Sequence, residues 1–130
     1  MTYVAWDIET CPIPFDALSG PQKDRRESEV EQLRNQSPGE DEEVLSRQAC
    51  SLHPYLGWIC CISAVRGDNE IVETPKSWTA SFPGEESDLL DRFWADVYAI
   101  GQHHDKSREK LQWVTFNGKR FDVPFLTART

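Results

Sequence analysis

Hydrophobic and polar positions divide the chain into strand-like runs separated by charged, helix-like ones. In Tyr3-Val4-Ala5-Trp6-Asp7-Ile8-Glu9-Thr10 the spacing predicts a strand with Trp6 and Ile8 facing one layer and Asp7 and Glu9 facing the other. Cys11-Pro12-Ile13-Pro14 follows and is not expected to continue a regular central strand, so 12–20 reads as loop, with Ile13 and Phe15 against the sheet edge. Residues 58–65 form a nearly continuous apolar run, the pattern of a strand buried on both faces. The turn 66–69 then leads to a short hairpin strand at 70–74. The loop 75–83 follows, with Trp78 and Phe82 as lid or edge anchors. Leu89, Leu90, Phe93, Val97 and Ile100 recur at helical spacing, which predicts an amphipathic helix that starts near Gly84 and ends at Gly101. His103, His104 and Asp105 then fall in an exposed connector. Residues 112–116 read as a fourth strand, and 117–120 as the turn into a last helix, whose first turn tolerates Pro124.

The stretch 21–49 differs in character. It reads as two helical pieces, 21–36 and 40–49, broken by Ser37-Pro38-Gly39 and carrying only Val30, Leu33, Val44 and Leu45 as an apolar stripe. This predicts a peripheral, partly mobile helical insertion. The remaining order of strands and helices describes a mixed α/β layer with the first strand in the centre, between the 58–65 and 112–116 strands. In that arrangement the end of the first strand and the start of the last helix are neighbours, so Asp7, Glu9 and Asp122 are expected to converge.

At 130 residues and 38% hydrophobic, with five Trp, six Phe and three Tyr, the chain has material for one core and one domain. No apolar run approaches the roughly 18–20 residues of a membrane span, and the amino terminus lacks the charged-then-apolar pattern of a signal segment. A soluble, cytoplasmic protein is the expectation. The four cysteines include no Cys-x-x-Cys, so reduced structural thiols are expected, and a zinc site from Cys50, His53 and His103 or His104 lacks paired ligand spacing. The formal charge of −8 is uneven: 27–43 carries a net −6, whereas the tail from Gly101 onward, with Lys106, Arg108, Lys110, Lys119, Arg120 and Arg129 against Asp105, Glu109 and Asp122, carries +3. A weakly basic tail beside a carboxylate cluster fits a nucleic-acid substrate bound partly through metal ions.

Two like charges on one strand face repel, and a fold that keeps both ionised normally places a cation between them. The Asp-x-Glu pattern also occurs at Asp41/Glu43 and Asp68/Glu70, in an acidic run and a turn, so the pattern alone carries nothing. The first copy is distinguished by its place at the carboxyl end of a strand, where open α/β sheets bind their ligands.

Asp7-Ile8-Glu9-Thr10 resembles the first motif of the DEDD 3′–5′ exonucleases, and Asn117-Gly118-Lys119-Arg120-Phe121-Asp122 resembles their second, Asn-x-x-x-(Phe/Tyr)-Asp. Within that superfamily the chain is most similar to predicted exonucleases related to the proofreading domain of family-B DNA polymerases, and His53-Pro54 is similar to that group as well. The resemblance implies a ribonuclease-H-like mixed sheet flanked by helices and a two-metal reaction using Mg²⁺ or Mn²⁺. It further implies Asp7, Glu9 and Asp122 as catalytic metal ligands, and Thr10, Asn117 and Phe121 as contacts to a single-stranded 3′ end. Asn117 also suits a strand-to-helix turn, and Phe121 suits a core position.

Two hard cations about 3.5–4 Å apart would supply the hydroxide and the counter-charge that phosphodiester hydrolysis needs, and oxygen ligands suit such ions. The family's third motif, Tyr-x-x-x-Asp or His-x-x-x-x-Asp, does not occur after Asp122. The expectation is therefore the first part of an exonuclease domain, with four strands, two core helices and the insertion at 21–49. The alternatives are a non-catalytic ribonuclease-H-like module that binds nucleic acid or protein, and a different ribonuclease-H-like enzyme such as an endonuclease.

Overall fold

A computed structural model describes residues 1–107 and 110–130. Arg108 and Glu109, part of the charged tail noted above, lie outside the described residues. The elements are β1 (Thr2–Pro12), α1 (Gly20–Gln36), α2 (Glu42–Ser51), β2 (Gly57–Gly67), β3 (Lys76–Thr79), α3 (Glu86–Ser107), β4 (Leu111–Val114) and α4 (Asp122–Arg129). Among the described residues the sheet has the order β3-β2-β1-β4, with β1 antiparallel to β2 and parallel to β4, so β1 is central as the pattern predicts.

Alternation along β1 sets the two faces. Val4 and Ile8 are buried and Trp6 is half-buried on one side, while Ala5, Asp7 and Glu9 are exposed on the other. The buried side receives α3 and α4: Ile8, Ile59, Ile62, Trp78, Leu89, Phe93, Phe125 and Leu126 form one cluster, with Trp6 packed against it. Aromatic rings give it shape, the Phe93 ring meeting Trp78 edge-on at 5.2 Å between centroids. At the far end of this layer Glu86, in the first turn of α3, is buried against Arg129 in the last turn of α4, and its Oε2 accepts the Ile59 backbone N–H at 2.5 Å. Arg129 also donates to the Pro54 carbonyl, so one ion pair ties α3, α4 and the entry to β2.

Several expected boundaries shift. β1 runs on through Cys11 and Pro12, which pair with Trp58 and Gly57, because β4 leaves β1 after Ala5. The Ile13 N–H turns toward the Leu56 carbonyl, so position 12 faces the free edge, where a missing N–H breaks no ladder bond. The third strand is Lys76–Thr79 rather than 70–74, and from the expected strand only Val72 makes an isolated bridge, to Gly67. Trp78, paired with Ile62, is buried, whereas Ile71 and Val72 are 66% and 73% exposed, so the tryptophan's apolar surface selects the strand. Phe82 anchors nothing, being exposed. β2 is fully buried only at Gly57, Trp58, Ile59 and Ile62.

The helix α3 passes through Gly101 instead of ending there, and His103, His104 and Asp105 are helical, with His104 buried. A glycine costs a helix interior about 1 kcal/mol, which a 22-residue helix packed on the sheet absorbs. The insertion forms two regular helices with a small core of their own, Val30, Leu45 and Ala49. A capping box of Ser19 and Gln22 starts α1, and Asp41 caps α2. Phe15 does not tuck onto the sheet: it is 52% exposed, with Lys23 and Arg26 over its ring.

Candidate active site

Asp122 opens α4, after the turn 115–121 that follows β4, and it is only 2% exposed. A buried carboxyl needs partners, and Asp122 has two. The Thr115 hydroxyl donates to its Oδ2 at 3.0 Å, and the Asp7 carboxyl lies within hydrogen-bonding reach. Burial pushes the Asp122 carboxyl above the usual carboxylate range, the negative charge of Asp7 pushes the same way, and the Thr115 hydroxyl partly opposes both. This is the electrostatic state of two carboxyls facing each other without a counter-charge: a proton or a cation between them is favoured.

The turn that delivers Asp122 is built by backbone constraint. Asn117 adopts a left-handed conformation, φ 55°, and its carbonyl accepts the N–H groups of Arg120 and Phe121. At Gly118 an added Cβ would stand 1.8 Å from Thr115 Cγ2, so the turn closes onto Thr115 only with glycine there. Thr115 and Gly118 are thus the supports of Asp122 that pattern reading passed over; the Asn-Gly pair was the available signal.

Asp7 is exposed beside Ser63 across the ladder and lines an open cavity of ≈ 270 Å³ with Ala5, Val65 and Pro75. Glu9 stands two residues along the same face, exposed, next to a register shift between Glu9 and Thr10. Its backbone carbonyl accepts the Cys60 thiol at 3.3 Å, and burial pushes that thiol up to about 12, with Cys11 adding to the effect.

The structure therefore brings Asp7 and Asp122 together but does not close the expected three-carboxylate cluster. Among the described residues no group of three or more His, Cys, Asp or Glu is arranged to hold a metal ion. Glu9, on an exposed face beside the bulge, is not drawn in by any hydrogen bond of its carboxylate among the described residues. The Asp7–Asp122 pair supplies hard oxygen donors facing each other, with the proton affinity of Asp122 raised, and is chemically suited to a divalent cation.

Of the expected substrate contacts, the Thr10 hydroxyl donates to the Ser51 carbonyl at 2.5 Å, tying the end of β1 to the end of α2. Asn117 is exposed in the turn, and Phe121 is half-buried with its ring 5.5 Å from that of Phe125. Cys50, in an apolar cluster with Leu18 and Leu56, and the helical His103 and His104 are not assembled into a zinc site, and all four cysteines are free thiols.

Fold and site define a class: a mixed α/β sheet flanked by helices, with paired carboxyls where the central strand meets the start of a helix. A family model described as the ribonuclease H superfamily matches residues 49–130. The chain belongs to that superfamily, whose members are typically metal-dependent nucleases. The matched region contains Asp122 and follows the strand that carries Asp7 and Glu9. No curated protein and no solved structure matches the chain.

Proposed function

We propose that this protein acts on single-stranded nucleic acid as a 3′–5′ exonuclease domain, with the Asp7–Asp122 pair as the centre of its site. The observation that carries the reading is the buried Asp122 carboxyl held against Asp7, its proton affinity raised by burial and by that neighbour. Asp7, Asp122 and, on the same exposed face, Glu9 would hold Mg²⁺ or Mn²⁺. Such ions, when bound, would generate the attacking hydroxide and neutralise the charge developing on the phosphate.

The chain's own part is positioning. Thr115 fixes the rotamer of Asp122 through its hydroxyl, the Asn117-Gly118 turn fixes where the helix begins, and exposed Asp7 presents the open side of the pair to a phosphodiester. Negative charge spread over Asp7 and Glu9 repels a bare phosphate backbone, so productive binding would require cations on that face.

The absence of an assembled three-ligand cluster among the described residues favours one second reading, a non-catalytic ribonuclease-H-like module that binds nucleic acid. The two separate on a 5′-labelled single-stranded oligonucleotide incubated with Mn²⁺. Slow stepwise shortening from the 3′ end, lost in Asp122→Asn, is the exonuclease outcome. Binding with no shortening, unchanged by Asp122→Asn, is the module outcome and overturns the first reading.

A further inference from the structure

Among the described residues several cations are paired with the chain's own carboxylates, as in Arg25–Glu29, Arg34–Glu42 and Arg47–Glu43. Lys23 and Arg26 differ. Among the described residues neither has a carboxylate partner, and both stand over the exposed Phe15 ring, Lys23 Nζ at 4.8 Å and Arg26 Cζ at 5.0 Å from its centroid. Arg26 is further fixed by donating to the Ser46 hydroxyl. It lines a cavity of ≈ 370 Å³ whose floor, Pro12 to Phe15, leaves β1 three residues after Glu9. The carboxylates on the cavity wall, Glu42 and Glu43, are held by Arg34 and Arg47.

Unpaired cations therefore flank both carboxylate segments along the chain. Lys119 and Arg120, exposed and without a carboxylate partner among the described residues, precede Asp122, and Lys23 and Arg26 overhang the segment that follows Glu9. A ligand with negative charges repeated along its length fits such an arrangement; a single small anion does not need both. The cavity is of the size of small-ligand pockets and offers an aromatic ring beside the cations, the combination that single-stranded nucleic acid uses.

We propose that the cavity between residues 12–15 and the α1–α2 pair is a subsite for one nucleotide of a single strand whose end lies at Asp7 and Asp122, with Lys23 and Arg26 countering its phosphates. This rests on the nucleic-acid reading above. It gives the charged insertion a task, since α1 carries both cations and α2 supplies Ser46 and the opposite wall.

The test is equilibrium binding of a labelled single-stranded oligonucleotide with Ca²⁺ held at one concentration as the hard, oxygen-ligated cation, followed across monovalent salt concentrations. Each phosphate contact contributes about 0.7 to the slope of log affinity against log salt for single strands. Lys23→Gln, over the Phe15 ring and outside the core clusters, should lower the slope by about 0.7, and Lys23→Gln with Arg26→Gln by about 1.4, a loss of roughly 25-fold at 0.1 M salt. A wild type that binds, with variants of unchanged slope and affinity, overturns this subsite and leaves the nuclease reading standing. A wild type that binds no single strand at any salt overturns both.

Discussion

Thr115 donates its hydroxyl to Asp122 Oδ2 at 3.0 Å across the turn between β4 and α4, and Gly118 is the residue whose missing side chain lets that turn close. The hydroxyl opposes the two influences, burial and Asp7, that raise the proton affinity of Asp122. Thr115→Val should therefore raise that affinity further, read as an upward move of the Asp122 carboxyl titration by NMR. Gly118→Ala should reach the same bond by forcing Thr115 aside, with a stability loss of about 1–3 kcal/mol from overpacking. An unmoved Asp122 titration in Thr115→Val would separate the two residues.

Stability should depend on pH through the same carboxyl. A folded-state pKa above the unfolded value means that the folded protein holds the proton more tightly; this contribution is complete below the ordinary carboxylate range and is lost as pH rises through the raised value. At neutral pH, without metal, an ionised Asp122 thus opposes folding, and Asp122→Asn should melt higher than the wild type. The advantage should shrink as pH falls and the wild-type carboxyl takes up its proton. A variant that melts lower than the wild type at neutral pH would make Asp122 a structural acid of the helix start.

The Glu86–Arg129 pair should matter to folding well beyond a surface ion pair. Glu86 is 5% exposed and serves both Arg129 and the Ile59 N–H, so Glu86→Ala strands a guanidinium and a backbone donor together. Breaking one side of a buried pair costs about 3–5 kcal/mol, and the partial exposure of Arg129 places the expectation near 3. Denaturant unfolding of Glu86→Ala, Arg129→Met and the double variant would measure it, with a strongly non-additive double variant expected.

Much of this arrangement is legible in the sequence. Alternation in β1 separated Asp7 and Glu9 from Trp6 and Ile8, and the topology of a central first strand brought Asp7 to Asp122. What escaped depended on competition between neighbouring segments. Ile71-Val72 and Trp78 both offered a strand, and only packing against the α3 layer, where Trp78 meets Phe93, decides for Trp78. Gly101 marked a helix end by local propensity, and burial of one face of α3 outweighed it. Glu9 shared the predicted face of Asp7, but a strand pattern carries no information on a register shift beside it or on which carboxylates finally touch. Thr115 went unnoticed because its role is a side-chain bond across a turn, which no periodicity encodes.

Calorimetric titration of the protein with Mn²⁺, compared with Asp7→Asn and Asp122→Asn, tests the central claim most directly. The expected result is measurable binding by the wild type that both substitutions abolish, since each removes one of the two facing carboxyls. Equal Mn²⁺ binding by all three proteins would contradict it and place any metal away from the end of the central strand.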